Sequence, residues 1–204
     1  MKRKLISICS AACLALAVLA GGTLAYFTDS DAKTNTFTLG NVEIELTEDK
    51  WTEPEAVAPG IEYAKNPVVT NTGENDAWLR VDVTISDAEA FLSAAKAHGI
   101  IDLASELFDM SQSDWSDRWL ITEDSPKLDG EKDTLTYSYY YKNICKPGEN
   151  TGELFSSVTV PAEFNNDEME AIGEDFTIEV TAHAIQTADS YNTVQEAFAS
   201  YTNE

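Results

Sequence analysis

Three stretches of this chain alternate apolar and polar residues with a period of two, and that pattern dictates sheet. Leu79, Val81, Val83 and Ile85 alternate with Arg80, Asp82 and Thr84. Leu135, Tyr137, Tyr139 and Tyr141 share one parity, as do Phe176, Ile178, Val180, Ala182 and Ala184. Successive side chains of a strand point to opposite faces, so each stretch is a strand with one face on a core. Shorter strands are expected at Pro67 to Thr72, at Trp119 to Ile121, and around Leu154, Val158 and Val160. Phe37 and Leu39 share one parity and Val42, Ile44 and Leu46 the other, so Gly40-Asn41 marks a bulge or bend. Turns fall at Gly73 to Asp76, Asp129-Gly130 and Pro147-Gly148.

Residues 86–118 interrupt this pattern as a helical insertion. Ser86 and Glu89 have capping-box spacing, Phe91, Leu92 and Ala95 form an apolar stripe, and Gly99 is a stop. Leu103, Leu107 and Phe108 suggest a second short helix, and Ser111 to Arg118 reads as a polar loop around Trp115. Such an insertion is expected to pack over one end of the sheet. Val194, Ala197, Phe198 and Tyr201 have helical spacing, which predicts a short amphipathic C-terminal helix. Six or more strands with these helices predict a mainly β fold, a β-sandwich with a helical insertion.

The first 25 residues read as a cleavable signal peptide. Lys2, Arg3 and Lys4 precede an uncharged apolar run from Leu5 to Ala20, and Thr23 and Ala25 supply small residues before a cut between Ala25 and Tyr26. The alternative is an uncleaved anchor, but the run is short of the about 20 residues a span needs. Cleavage would leave residues 26–204 as a single secreted domain without stable membrane insertion. It removes three of the 13 basic residues and none of the 36 acidic ones, leaving a net charge of −26. That charge repels nucleic acid and anionic lipid and favours divalent cations or basic partners. Cys145 is then the single cysteine, so no internal disulfide can form.

Catalytic signals are sparse. His98 and His183 are the only histidines, without a zinc-binding helix motif, a nucleophile elbow or a phosphate loop around them. His98 falls at a helix end, where a cation suits the dipole, and His183 on the polar parity of its strand. Asp129 to Asp133 and Asn165 to Glu168 could offer calcium oxygen ligands, although solvated loop charge explains both more simply. Tyr137 to Tyr141 could stack a sugar, but its odd members fit a core and Tyr140 faces outward. No catalytic residue, metal ligand or cofactor is assigned, and the chain is read as a non-enzyme.

Gly22-Thr23-Leu24-Ala25-Tyr26-Phe27-Thr28-Asp29 and Asn35-Thr36-Phe37-Thr38-Leu39-Gly40-Asn41-Val42 resemble the start of the TasA/camelysin (CalY) family. Lys65-Asn66-Pro67-Val68-Val69-Thr70-Asn71-Thr72-Gly73, Ala77-Trp78-Leu79-Arg80-Val81, Pro147-Gly148-Glu149 and Ala182-His183-Ala184-Ile185-Gln186 resemble its later segments. The resemblance implies a jelly-roll sandwich, export through a SipW-type signal peptidase, and a role in extracellular biofilm-matrix fibres of a Gram-positive cell surface. It implies self-association or assembly with related matrix proteins, as main subunit or accessory. Residues 26–39, with Phe27, Phe37 and Leu39, would be the strand lent to a neighbour. The camelysin name also implies a cell-surface metallopeptidase, and a monomeric adhesin-like binding module is a third reading.

Overall fold

The computed structural model describes residues 38–39, 42–52, 54, 56–173, 175–187 and 191–200. Expectations that rest on Ala25, Tyr26, Phe27, Phe37, Gly40-Asn41 or Tyr201 lie outside those residues. The dominant element is a six-stranded sheet. It contains β1 (Thr38–Leu39), β5 (Ala77–Ser86), β6 (Trp119–Ile121), β7 (Lys127–Asp129), β8 (Thr134–Tyr141) and β10 (Ile178–Gln186). The order is β1-β10-β5-β8-β6, with β7 also on β8; β10, β5 and β8 run antiparallel, whereas β1 runs parallel to β10. Two smaller antiparallel pairs complete the sandwich: β2 (Ile44–Thr47) with β4 (Val68–Asn71), and β3 (Glu62–Ala64) with β9 (Ser157–Thr159).

The alternating stretches are the three central strands, and their apolar parity forms the core. Leu79, Val81, Val83 and Ile85 of β5, Leu135, Tyr137 and Tyr139 of β8, and Val180, Ala182 and Ala184 of β10 are buried. They pack with Ile44, Leu46 and Val69 of the β2–β4 pair and with Leu154, Phe155 and Val158. Burial of this many apolar side chains is the main favourable term in folding.

Among the described residues five helices attach to this frame: α1 (Ala88–Ala97), α2 (Leu103–Leu107), α3 (Trp115–Arg118), α4 (Asn166–Ile172) and α5 (Val194–Ala199). The end of α1 agrees with the glycine signal. Gly99 has φ +71°, Gly99 N–H donates to Lys96 O and Ile100 N–H to Ala95 O, which is a Schellman motif. Its start does not follow the expected capping box. Asp87, with φ 53°, is the cap residue and supplies no side-chain cap; Asp133 supplies it instead, accepting Ala88 N–H at O and Glu89 N–H at Oδ1. Ser86 Oγ donates to Asp87 and accepts Thr177 N–H, so its hydroxyl is engaged elsewhere.

Two further expectations are corrected. Ser111 to Arg118 is not wholly loop, because Trp115–Arg118 forms α3, tied down by Trp115 Nε1–H donating to Leu154 O at 2.7 Å. Asn165 to Glu168 is a helix start with a true capping box. Asn165 Oδ1 accepts the N–H of Asp167 and Glu168, and the Glu168 carboxylate accepts Asn165 N–H.

Candidate functional site

β10 is paired unequally along its two sides. Along one side all nine residues of β10 pair with β5, from Ile178↔Ile85 to Gln186↔Ala77. Along the other side the described residues give two pairs, Thr38↔Ala184 and Leu39↔Ile185. Among the described residues no strand lies beside Ile178 to His183 on that side. Leu39 thus pairs in parallel with Ile185 of its own chain. A bare row of backbone donors and acceptors is a template for another strand. Val180, Ala182 and Ala184 put buried, mostly small side chains on the inner face of this edge.

The outer face of the same strands carries a polar cluster that sequence reasoning did not assemble. His183 Nε2 lies 3.0 Å from Asp82 Oδ2, and Arg80 donates to the same oxygen at 2.9 Å. Antiparallel register brings them together, since His183 opposes Arg80 and Asp82 lies one same-face position along β5. Burial pushes the Asp82 carboxyl up, but its bonds to His183 and the Arg80 charge outweigh this and hold it below its ordinary value. The Phe198 ring of α5 covers the Arg80 guanidinium at 4.9 Å. His183 is thus paired rather than a free surface histidine.

His98 follows a different logic. It caps α1, as expected, and its Nε2 also meets both Glu168 oxygens at 2.9 and 3.0 Å, tying α1 to α4. The two histidines are thus held by different elements and different carboxylates. A family-implied catalytic metal would need them, or one of them with two further donors, to converge. Among the described residues no group of three His, Cys, Asp or Glu side chains does so. The donor set present here does not fit such an ion, and no chemical step is derived through one.

The other candidates are taken up by structure. Asp129 Oδ1 accepts Glu131 N–H and Lys132 N–H, shaping the β7–β8 turn. Tyr137 and Tyr139 are core residues, and burial pushes the Tyr137 hydroxyl up to about 12. Tyr140 faces the other way, its ring edge against Phe198. Cys145 is buried with its thiol donating to Glu149 O, and burial raises its pKa, so it is poorly placed as a nucleophile. Among the described residues no helix is long and apolar enough to cross a membrane.

No curated protein matches this chain. Residues 1–93 match the family described as camelysin metallo-endopeptidase, a stretch that runs from the first residue through β5 into α1. The resemblance read from the sequence is borne out over that stretch: residues 1–93 are similar to the camelysin family.

Proposed function

We propose that the chain is an exported subunit, or assembly accessory, of an extracellular matrix fibre, and that it polymerises by lending residues 26–39 to the β10 edge of a neighbour. The observation that carries this reading is the mismatch at β10, a nine-residue strand paired along its whole length with β5 but, among the described residues, only with Thr38–Leu39 on its outer edge. Backbone hydrogen bonds contribute about 1 kcal/mol each net. Little is therefore lost when Thr38–Leu39 leave their own edge, and a longer strand gains more by filling it. Each subunit would give one strand and take one, a head-to-tail contact that extends without closing.

Electron microscopy of purified residues 26–204, beside residues 40–204, tests the proposal. The longer form is expected to give concentration-dependent filaments and the shorter a folded monomer. Equal filament formation by both would overturn strand donation. N-terminal sequencing of the exported protein is expected to begin at Tyr26. The family description favours a second reading, a cell-surface metallo-endopeptidase. Casein hydrolysis by pure protein, abolished by a chelator and lost in both His98→Ala and His183→Ala, would establish it. A monomer that binds a glycan or host surface would instead support the adhesin-like reading.

A further inference from the structure

Lys50, Asn66 and Glu153 come from three neighbouring segments at one end of the β2–β4 pair. Lys50 lies in the turn after β2, Asn66 precedes β4, and Glu153 lies in the segment that runs beside β4 through Thr151 N–H to Val69 O and Leu154 N–H to Pro67 O. Asn66 is 6% exposed, and its carboxamide is held at both ends. Its Oδ1 accepts the backbone N–H of Lys50 at 2.8 Å, and its Nδ2 donates to Glu153 Oε1 at 3.3 Å. The same Glu153 oxygen accepts Lys50 Nζ at 2.5 Å. One carboxylate oxygen thus bridges a primary amine and a carboxamide nitrogen.

We propose that Lys50 and Asn66 join in an intramolecular isopeptide bond, with Glu153 as the proton carrier. Glu153 takes a proton from the Lys50 ammonium, and the freed amine attacks Asn66 Cγ. Charge developing on Oδ1 is met by the Lys50 backbone N–H already bonded to it. Glu153 returns its proton to Nδ2, the C–N bond breaks and ammonia leaves; the second amine proton follows through Glu153 to the departing ammonia. The products are a secondary amide and ammonium, so neither oxidant nor cofactor is required.

Three features single out this trio. The carboxylate oxygen contacts both reacting groups, and one turnover per chain suffices although the lysine side chain is half exposed. Pro67 has no N–H to attack Asn66 Cγ, which closes the usual cyclisation route by which asparagine is lost. The adjacent Lys65 is committed to Glu48 at 2.7 Å and leaves Lys50 as the nucleophile. The bond would close residues 50–66, including β3, into a covalent loop in a domain that has no disulfide. This holds whether or not the chain polymerises.

Intact mass spectrometry of the purified protein, followed by sequencing of its proteolytic peptides, tests it. The expected result is a mass one ammonia below that of the linear chain and a branched peptide joining Lys50 to Asn66. Lys50→Arg, which keeps the charge beside Glu153, is expected to restore the full mass, as is Glu153→Ala. Full mass with Lys50 and Asn66 in separate linear peptides, even after prolonged incubation at alkaline pH, would overturn the proposal. So would a branch through any other pair.

Discussion

Lys65 Nζ meets Glu48 Oε2 at 2.7 Å with only 7% and 9% of the two side chains exposed. The indole of Trp51 caps the ammonium at 4.5 Å, and among the described residues the buried Glu48 Oε1 has no hydrogen-bond partner. Removing one partner from such a pair leaves an uncompensated buried charge, typically costing 3–5 kcal/mol, whereas replacing both with apolar residues is often neutral. Glu48→Leu alone is therefore expected to destabilise the domain by about 3 kcal/mol or more, and adding Lys65→Met to recover most of that loss. Denaturant unfolding of the two single variants and the double variant checks this. A double variant no more stable than Glu48→Leu would show that the pair is not the source of the cost.

Acid stability is expected to depend on Asp82. Its carboxyl is held below its ordinary value in the fold by His183 and Arg80, against the opposing effect of burial. A depressed acid stabilises the folded state above its unfolded pKa, and the contribution disappears as pH falls through the lower folded value. Asp82→Asn is thus expected to lower stability at pH 6 and to flatten the loss of stability below about pH 4. Thermal melts between pH 2 and 7 provide the check; parallel curves for both proteins would contradict it.

These two relationships also show where the sequence stops being informative. Period-two alternation located β5, β8 and β10, because one face of each is buried and the other is not. The Asp82–His183 pair joins residues 101 positions apart, and only the register of β5 on β10 brings them together. Ser86 and Glu89 have the right spacing for a local cap, yet Asp133 occupies that role from a distant turn. Asn165 to Glu168 gave the opposite error. Its Asn-x-x-Glu spacing is a helix start, hidden by so much surrounding acidity that it passed for loop charge. Nothing in local spacing marks Thr38–Leu39 as the parallel partner of β10, since parallel pairing is a long-range outcome.

The C-terminal helix has its own small core. Val194, Ala197 and Phe198 of α5 pack with Trp78 and Ile185 on the outer face of the main sheet, separate from the main cluster. Truncating a buried phenylalanine typically costs 3–5 kcal/mol. A satellite cluster this small can open without unfolding the sandwich, so the effect of Phe198→Ala should be local. We expect hydrogen exchange in 194–199 to accelerate strongly while β5 and β8 keep their protection. Uniform loss of protection would mean that α5 is part of the global folding unit.

If the proposed assembly takes place, charge should set its conditions. Residues 26–204 hold 36 acidic and 10 basic side chains, so like subunits repel at neutral pH and low ionic strength. Added salt shortens the range of that repulsion to about 8 Å at 0.15 M. Mild acid acts differently, by protonating ordinary carboxylates as pH approaches about 4 to 4.5. Asp82, held below its ordinary value, stays ionised in that window, so the fold keeps its outer-face cluster while net charge falls. Filament growth followed by light scattering is therefore expected to accelerate from pH 7 to pH 5 and from low to physiological salt. It should slow again below about pH 4, where the domain loses stability. Rates that ignore both salt and pH would show that repulsion between like-charged chains does not limit assembly.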